Sequence, residues 1–164
     1  VNQRVYWTDN TAERIRRAGL SVPSGETAAT RTDIEDLVTT GLTDAHGIAL
    51  DVSGGKMYWA DTGTNKVQRA NLDGSSVEDL AIGLGDPREV DLDLLNGHVY
   101  WTDFGTDTIS RSNLDGSSIE TLVASNFLDR PIGIAIAVPE PSTLLLAIPA
   151  FLMLLSLQQR RLRR

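Results

Sequence analysis

The sequence predicts an all-β fold in which short strands gather into repeated four-stranded blades, part of a β-propeller. Three observations predict it. All three Tyr and all three Trp fall in Tyr-Trp pairs, at Tyr6-Trp7, Tyr58-Trp59 and Tyr100-Trp101. The pairs are 52 and 42 residues apart, and the residues behind them recur at fixed offsets. Each unit also divides into four short β-branched or aromatic runs bounded by Gly, Asn and Asp. A period of about 40–45 residues with four strands per unit marks a propeller blade.

The strands can be taken in order along a unit. The first run spans residues 46–51, 89–93 or 132–137, and the second spans 5–9, 57–61 or 99–103. The third spans 15–18, 67–70 or 109–112, and the fourth spans 34–38, 77–81 or 119–123. In the second run, alternation puts Val5, Trp7 and Asp9 on one face and Tyr6 and Thr8 on the other. Neither face reads as solvated, which suits stacked blades, and the Trp is expected to fill the wedge between them. Asp9, Asp61 and Asp103 follow two residues after the Trp, and Arg17, Arg69 and Arg111 lie eight residues further on. A bidentate Asp–Arg pair is expected there. Asp73-Gly74 and Asp115-Gly116 read as two-residue hairpin turns. The first unit is longer because a Ser/Thr/Gly-rich stretch, residues 21–32, replaces that short turn. This irregular loop is a candidate for ligand specificity, or else a tolerated surface insertion.

These residues resemble the low-density lipoprotein receptor class B, or YWTD, repeats. Tyr100-Trp101-Thr102-Asp103-Phe104-Gly105, continuing through Ile109, Arg111 and Asn113-Leu114-Asp115-Gly116, follows the family pattern. Residues 58–74 do so with Ala60 in place of Thr. The resemblance covers residues 1–137 and implies a six-bladed propeller with a non-catalytic binding or matrix role. Family repeats often carry Pro-Asn-Gly before the first strand. This chain instead has Ala45-His46-Gly47, Pro87-Arg88-Glu89 and Pro131-Ile132-Gly133, so any role of that Asn does not carry over. The blades are expected at residues 1–44, 45–86 and 87–130, with an extra strand at 131–137. Three blades do not close a ring. Either further blades precede Val1, where the chain starts inside a repeat without Met or an apolar leader, or two chains pair head to tail.

The composition of the remainder is different. Residues 1–138 hold eleven Lys and Arg against twenty-one Asp and Glu, whereas four of the fifteen basic residues lie in the last five positions. So acidic a body disfavours nucleic acid. The absence of cysteine excludes disulfides, thiolate metal sites and a Cys nucleophile. Residues 138–164 read as a separate tail. Pro139, Glu140, Pro141 and Ser142 precede an uncharged apolar run, residues 144–157, and an arginine cluster that includes Arg160 and Arg161. The run is expected to form a short hydrophobic membrane helix, with the arginines cytoplasmic. This order resembles the PEP-CTERM sorting signal. The resemblance implies processing by an exosortase-type membrane enzyme and display or release at the surface of a Gram-negative-type bacterium.

No cofactor, metal or catalytic residue is expected. His46 and His98 lack a second His at ligand spacing, and no nucleophile elbow or phosphate loop is present. The Tyr, Trp and Asp of the repeat motif are assigned to packing. The expected partners are the processing enzyme, the membrane through the tail, and an unidentified protein or polysaccharide. The rival reading is part of a calcium-dependent propeller lactonase or lyase. For it the inner strands offer His46, Arg88, Glu89, Asp91 and Ile132, a poor set for a hard cation.

Overall fold

The computed structural model describes residues 3–124 and 126–137. Within them the chain forms three antiparallel sheets. The first contains β1 (Arg4–Asp9), β2 (Arg14–Gly19) and β3 (Glu35–Val38), in that order. The second contains β4 (Ala45–Asp51), β5 (Lys56–Asp61), β6 (Lys66–Asn71) and β7 (Glu78–Ile82), again in order. The third contains β8 (Pro87–Asp93), β9 (His98–Asp103), β10 (Thr108–Asn113) and β11 (Glu120–Val123), also in chain order across the sheet. Each sheet is a blade. The expected strands are present to within two residues at either end, except 132–137.

Half of the connections between strands obey one local rule. The turns after β1, β4, β5, β8 and β9 each open on an Asp whose carboxylate accepts an N–H three residues on. The pairs are Asp9 with Ala12, Asp51 with Gly54, Asp61 with Thr64, Asp93 with Asn96 and Asp103 with Thr106, at 2.7–3.1 Å. Each turn then passes through a residue with positive φ: Glu13, Gly55, Asn65, Gly97 or Asp107. A short acceptor side chain followed by a left-handed residue is the chemistry such turns select.

The Asp-Gly connections between third and fourth strands differ from the expected hairpins. A two-residue turn of that type needs positive φ at both central positions. Here Gly74 (φ 86°) and Ser76 (φ 56°) have it, but Asp73 does not. The connection is therefore a wider loop, pinned by Asp73 Oδ1 accepting from both the N–H and the hydroxyl of Ser75, at 2.9 and 2.6 Å. Asp115 and Ser117 repeat it.

Residues 131–137 are not a strand: among the described residues none forms a ladder with them. They still follow the path of an inner strand. Thr102 Oγ1 donates to the Ile132 carbonyl at 2.9 Å, and Asp91 accepts from the Ile136 N–H at 2.6 Å.

The core is made between blades. The face bearing Tyr58, Ala60, Val67, Leu80 and Ala81 of the second blade packs on Val90, Val99 and Trp101 of the third. The face bearing Ile15 and Val38 of the first packs on Met57, Trp59 and Ala70 of the second. Trp59 and Trp101 are fully buried, as the alternation requires of a wedge residue. Full burial of side chains this large contributes several kcal/mol each, by about 25 cal/mol per Å² of apolar surface. Trp7, on the uncovered face of the first blade, is only half-buried.

Candidate functional site

The inner strands β4 and β8 each carry one extra residue relative to their neighbours. Ala45 faces Asp61 and Ile48 faces Trp59, so three steps on β4 match two on β5. Pro87, Val90, Asp103 and Trp101 repeat this on β8 and β9. A bulge re-aims side chains out of the pleat. Here it turns His46-Gly47 and Arg88-Glu89 toward the axis on which the blades converge. With Thr8, Asn10, Phe104 and Ile132 they line an open hollow of about 670 Å³. These bulges lie at the positions where the chain departs from Pro-Asn-Gly.

The hollow has a charged and aromatic lip. The Arg88 and Arg130 guanidinium carbons each lie 5.2 Å from the Phe104 ring centroid. Such contacts contribute about 0.5–1 kcal/mol at exposed sites. Arg88 also donates to Asp86 (2.7 Å) and to His46 Nε2 (2.9 Å), whose other neighbour is Asp44, 3.3 Å away. Arg130 is exposed, and its backbone N–H donates to Asp107 at 2.8 Å. Glu89 lies deeper, against Gly47, where an added Cβ would collide with its carboxyl group. Burial holds the Glu89 carboxyl above the usual carboxylate range, and Asp91 nearby adds to this.

The motif residues of the second and third blades build this site without lining it, whereas in the first blade Thr8 and Asp9 also line it. Asp61 accepts from the Thr43 and Asp44 N–H groups, and Asp103 from those of Gly85 and Asp86, at 2.8–3.2 Å. Each thus fixes the loop that leads into its blade's inner strand. The motif Thr ties down a bulge: Thr8 donates to the His46 carbonyl of the next blade, whereas Thr102 accepts from the Glu89 N–H of its own blade at 3.1 Å. Where the motif has Ala60, Thr62 in the following loop bonds the Pro87 carbonyl instead, at 2.7 Å.

The expected Asp–Arg pairing does not occur. Arg17, Arg69 and Arg111 bond Glu35, Glu78 and Glu120 on the neighbouring fourth strand. Register explains it. Arg69 lies across from Tyr58 and Arg111 across from Tyr100, whereas the Asp residues share the Trp face. An odd offset along a strand places Asp and Tyr on opposite sides of the sheet. Tyr6 and Tyr100 meet the same arginines through their hydroxyls at 3.4 Å.

Phe104 and Arg130 escaped the sequence reading, although Phe104 directly follows the motif Asp at a position held by Asn10 and Thr62 in the other units. The loop over residues 21–32 folds on itself through Glu26 and Thr32, away from the hollow. His98 stacks edge-on against Tyr100, outside the site. Among the described residues no three His, Asp or Glu side chains converge as a metal would require. No helix among them is long and apolar enough to cross a membrane. Pro139, Glu140, Pro141, Ser142, Arg160, Arg161 and the expected tail helix lie outside the described residues.

Residues 97–136 match the family model described as low-density lipoprotein receptor repeat class B. Nidogen-2 of Mus musculus is 39% identical over 71 residues, which is 43% of this chain but 4% of that protein. A chain in a crystal structure of a nidogen/laminin complex superposes with TM-score 0.66 at 32% identity, covering 78% of this chain and 46% of that one. A catalytically inactive virginiamycin B lyase from Staphylococcus aureus, solved with quinupristin, superposes at 0.55. At 20% identity over 73% of this chain and 37% of that one, it shares the fold alone. The three sheets match blades of a YWTD-type β-propeller.

Proposed function

We propose, from these YWTD propeller blades, that the chain is a non-catalytic module that binds an extracellular protein or polysaccharide through the hollow where its blades converge. The observation that carries the reading is the lip of Phe104 between Arg88 and Arg130. An aromatic ring flanked by guanidiniums presents apolar area and anion-binding groups together, the composition favoured at protein contacts. The superposition on a chain of a nidogen/laminin complex supports a protein partner, and nidogen-2 supports an extracellular setting. Part of a calcium-dependent propeller enzyme is the rival reading.

Residues 138–164 serve, in the same proposal, as a PEP-CTERM sorting signal. The Pro-Glu-Pro motif, the uncharged apolar run and the arginine cluster stand in the required order. An exosortase-type enzyme would recognise Pro139, Glu140 and Pro141, with the apolar run and the arginines holding the chain at the inner membrane before surface display. Residues 1–137 and 138–164 are then two functional units.

Probing immobilised extracellular proteins and anionic polysaccharides with the wild-type chain and with Phe104→Ala and Arg130→Ala tests the binding reading. Binding that both substitutions weaken at least tenfold, with unchanged melting temperature, supports it. Calcium-dependent turnover of a lactone or of quinupristin overturns it. Mass spectrometry of the C-terminus in an exosortase-bearing host tests the tail. Loss of the tail from the wild type but not from a Glu140→Ala variant supports sorting, and an intact tail in the wild type overturns it.

A further inference from the structure

We propose that the side of the blades opposite the hollow rests on a lipid bilayer, so that the hollow is directed away from it. The proposal rests on reading residues 138–164 as a membrane-held tail, and it adds which surface meets the lipid. Three observations carry it: where the chain leaves the blades, how far it can then reach, and which side chains the far side exposes.

The strands give the blades two distinct ends. β4 and β8 start at the hollow, with His46 and Arg88, and run away from it. The turns after β4, β6, β8 and β10 therefore lie on the far side. There they are joined in pairs, Leu72 N–H donating to the Gly55 carbonyl and Leu114 N–H to the Gly97 carbonyl, both at 3.0 Å. Residues 131–137 follow β8 in the same direction. Ile132 lines the hollow, whereas the Ile136 N–H meets Asp91, two residues short of the end of β8. The chain thus leaves the blades on the far side, beside the β8–β9 turn.

The reach of the link then limits the orientation. Leu144 opens the apolar run eight residues after Ile136. Whatever its conformation, that link spans at most about 29 Å, by 3.3–3.6 Å per residue. A strand of seven residues such as β8 is about 23 Å long. With the hollow turned toward the bilayer, most of the link would be spent on passing back along a blade. With the far side turned toward it, the apolar run enters the lipid without that detour.

The far side also exposes apolar side chains at the same place in each blade. Ile34, Val77 and Ile119, just ahead of β3, β7 and β11, are 43–56% exposed. Val77 belongs to the middle blade, which has a blade stacked on either side, so its exposure is a property of the position. The β8–β9 turn adds Leu94 and Leu95, 44% and 72% exposed. Leu94 stays exposed although the second blade packs on the third. Ser53 holds the place of Leu95 in the middle blade and is exposed there too. Apolar tips raised on turns over a wide face suit shallow insertion among lipid headgroups. Asp73 and Asp115, exposed on the same side, add negative charge, so the surface fits zwitterionic headgroups rather than anionic ones.

Phosphatidylcholine vesicles carrying a nitroxide on the headgroup test the orientation. The chain has no cysteine of its own, so a single fluorophore can be placed at Val77→Cys, at Leu95→Cys or, on the hollow side, at Ile82→Cys. All three positions are exposed. In full chains that float with the vesicles, quenching at Val77→Cys and Leu95→Cys is expected to exceed that at Ile82→Cys by at least about threefold, since a surface seated in the interface lies within reach of the headgroup. Adding Leu95→Glu, or separately Ile119→Glu, to the Val77→Cys chain is expected to lower its quenching at least about twofold while flotation persists, because a carboxylate resists leaving water. Unchanged melting temperature shows that the blades remain folded. Quenching that both substitutions leave unchanged means a tether without contact and overturns the proposal. Equal quenching at the three labels, or the strongest at Ile82→Cys, overturns it and leaves the membrane-held tail standing. A chain that does not float with the vesicles overturns both.

Discussion

Arg69 of the second blade donates to the backbone carbonyl of Leu114 in the third, 2.7 Å away, while its other guanidinium nitrogens hold Glu78 on its own blade. One side chain therefore joins two strands of one sheet to the turn of the next. Glu78 is 44% exposed, so the ion pair itself is screened and weak, and most of the effect lies in the inter-blade bond.

Arg69→Ala is accordingly expected to destabilise the chain by about 1.5–3 kcal/mol, the scale of a hydrogen bond from a charged donor. Arg111→Ala, which among the described residues breaks only bonds to Glu120 and Tyr100 of its own blade, is expected to lose clearly less. Urea unfolding of the two variants decides this. Equal losses would assign the effect to the Glu pairs.

Gly74 is constrained twice. Its φ is 86°, and an added Cβ would overlap the Leu37 carbonyl of the preceding blade. Gly83 has a similar φ of 70° but open space around it. Gly83→Ala is expected to cost about 1–2 kcal/mol from backbone strain alone. Gly74→Ala adds overpacking, about 1–3 kcal/mol more. Melting temperatures of the two variants separate strain from collision, and equal shifts would mean that the second blade turn is free to move off Leu37.

The Glu89 carboxyl is held above its ordinary range by burial. A carboxyl whose folded pKa is raised stabilises the fold while protonated, below the unfolded value of about 4.3. That contribution is lost as pH rises through the folded value, so ionised Glu89 weakens the fold at neutral pH. Glu89→Gln is expected to melt a few degrees higher at neutral pH, with the gap closing as pH falls to about 4. A gap that widens toward acid would reverse the assignment.

Asp33 shows the opposite sign. Hydrogen bonds from Arg31 and from the Gly19 N–H lower its pKa to about 2. Its contribution is present above the unfolded value and is lost as pH falls through the folded one. Carboxyl carbon NMR is expected to show Asp33 titrating near the bottom of the acid range and moving up in Arg31→Ala. A titration unmoved by that substitution would leave Gly19 as the sole cause.

The sequence by itself determined the blades. The Tyr-Trp-x-Asp spacing, strand alternation and turn residues are local properties, repeated three times, and they placed eleven strands to within two residues. They also marked Trp59 and Trp101 as wedge residues, because period-two alternation alone decides which side chains share a face. Only the tertiary structure decided what the charged residues do. Asp61 caps a loop rather than meeting Arg69, since register put them on opposite faces of the sheet. Arg69 finds its second partner 45 residues away, in a different blade. Phe104, Arg88 and Arg130 form a lip only because bulges in separate inner strands and two loops from different parts of the chain converge on one axis. Spacing along a strand encodes faces, whereas a site assembled from several blades exists only once the blades have stacked.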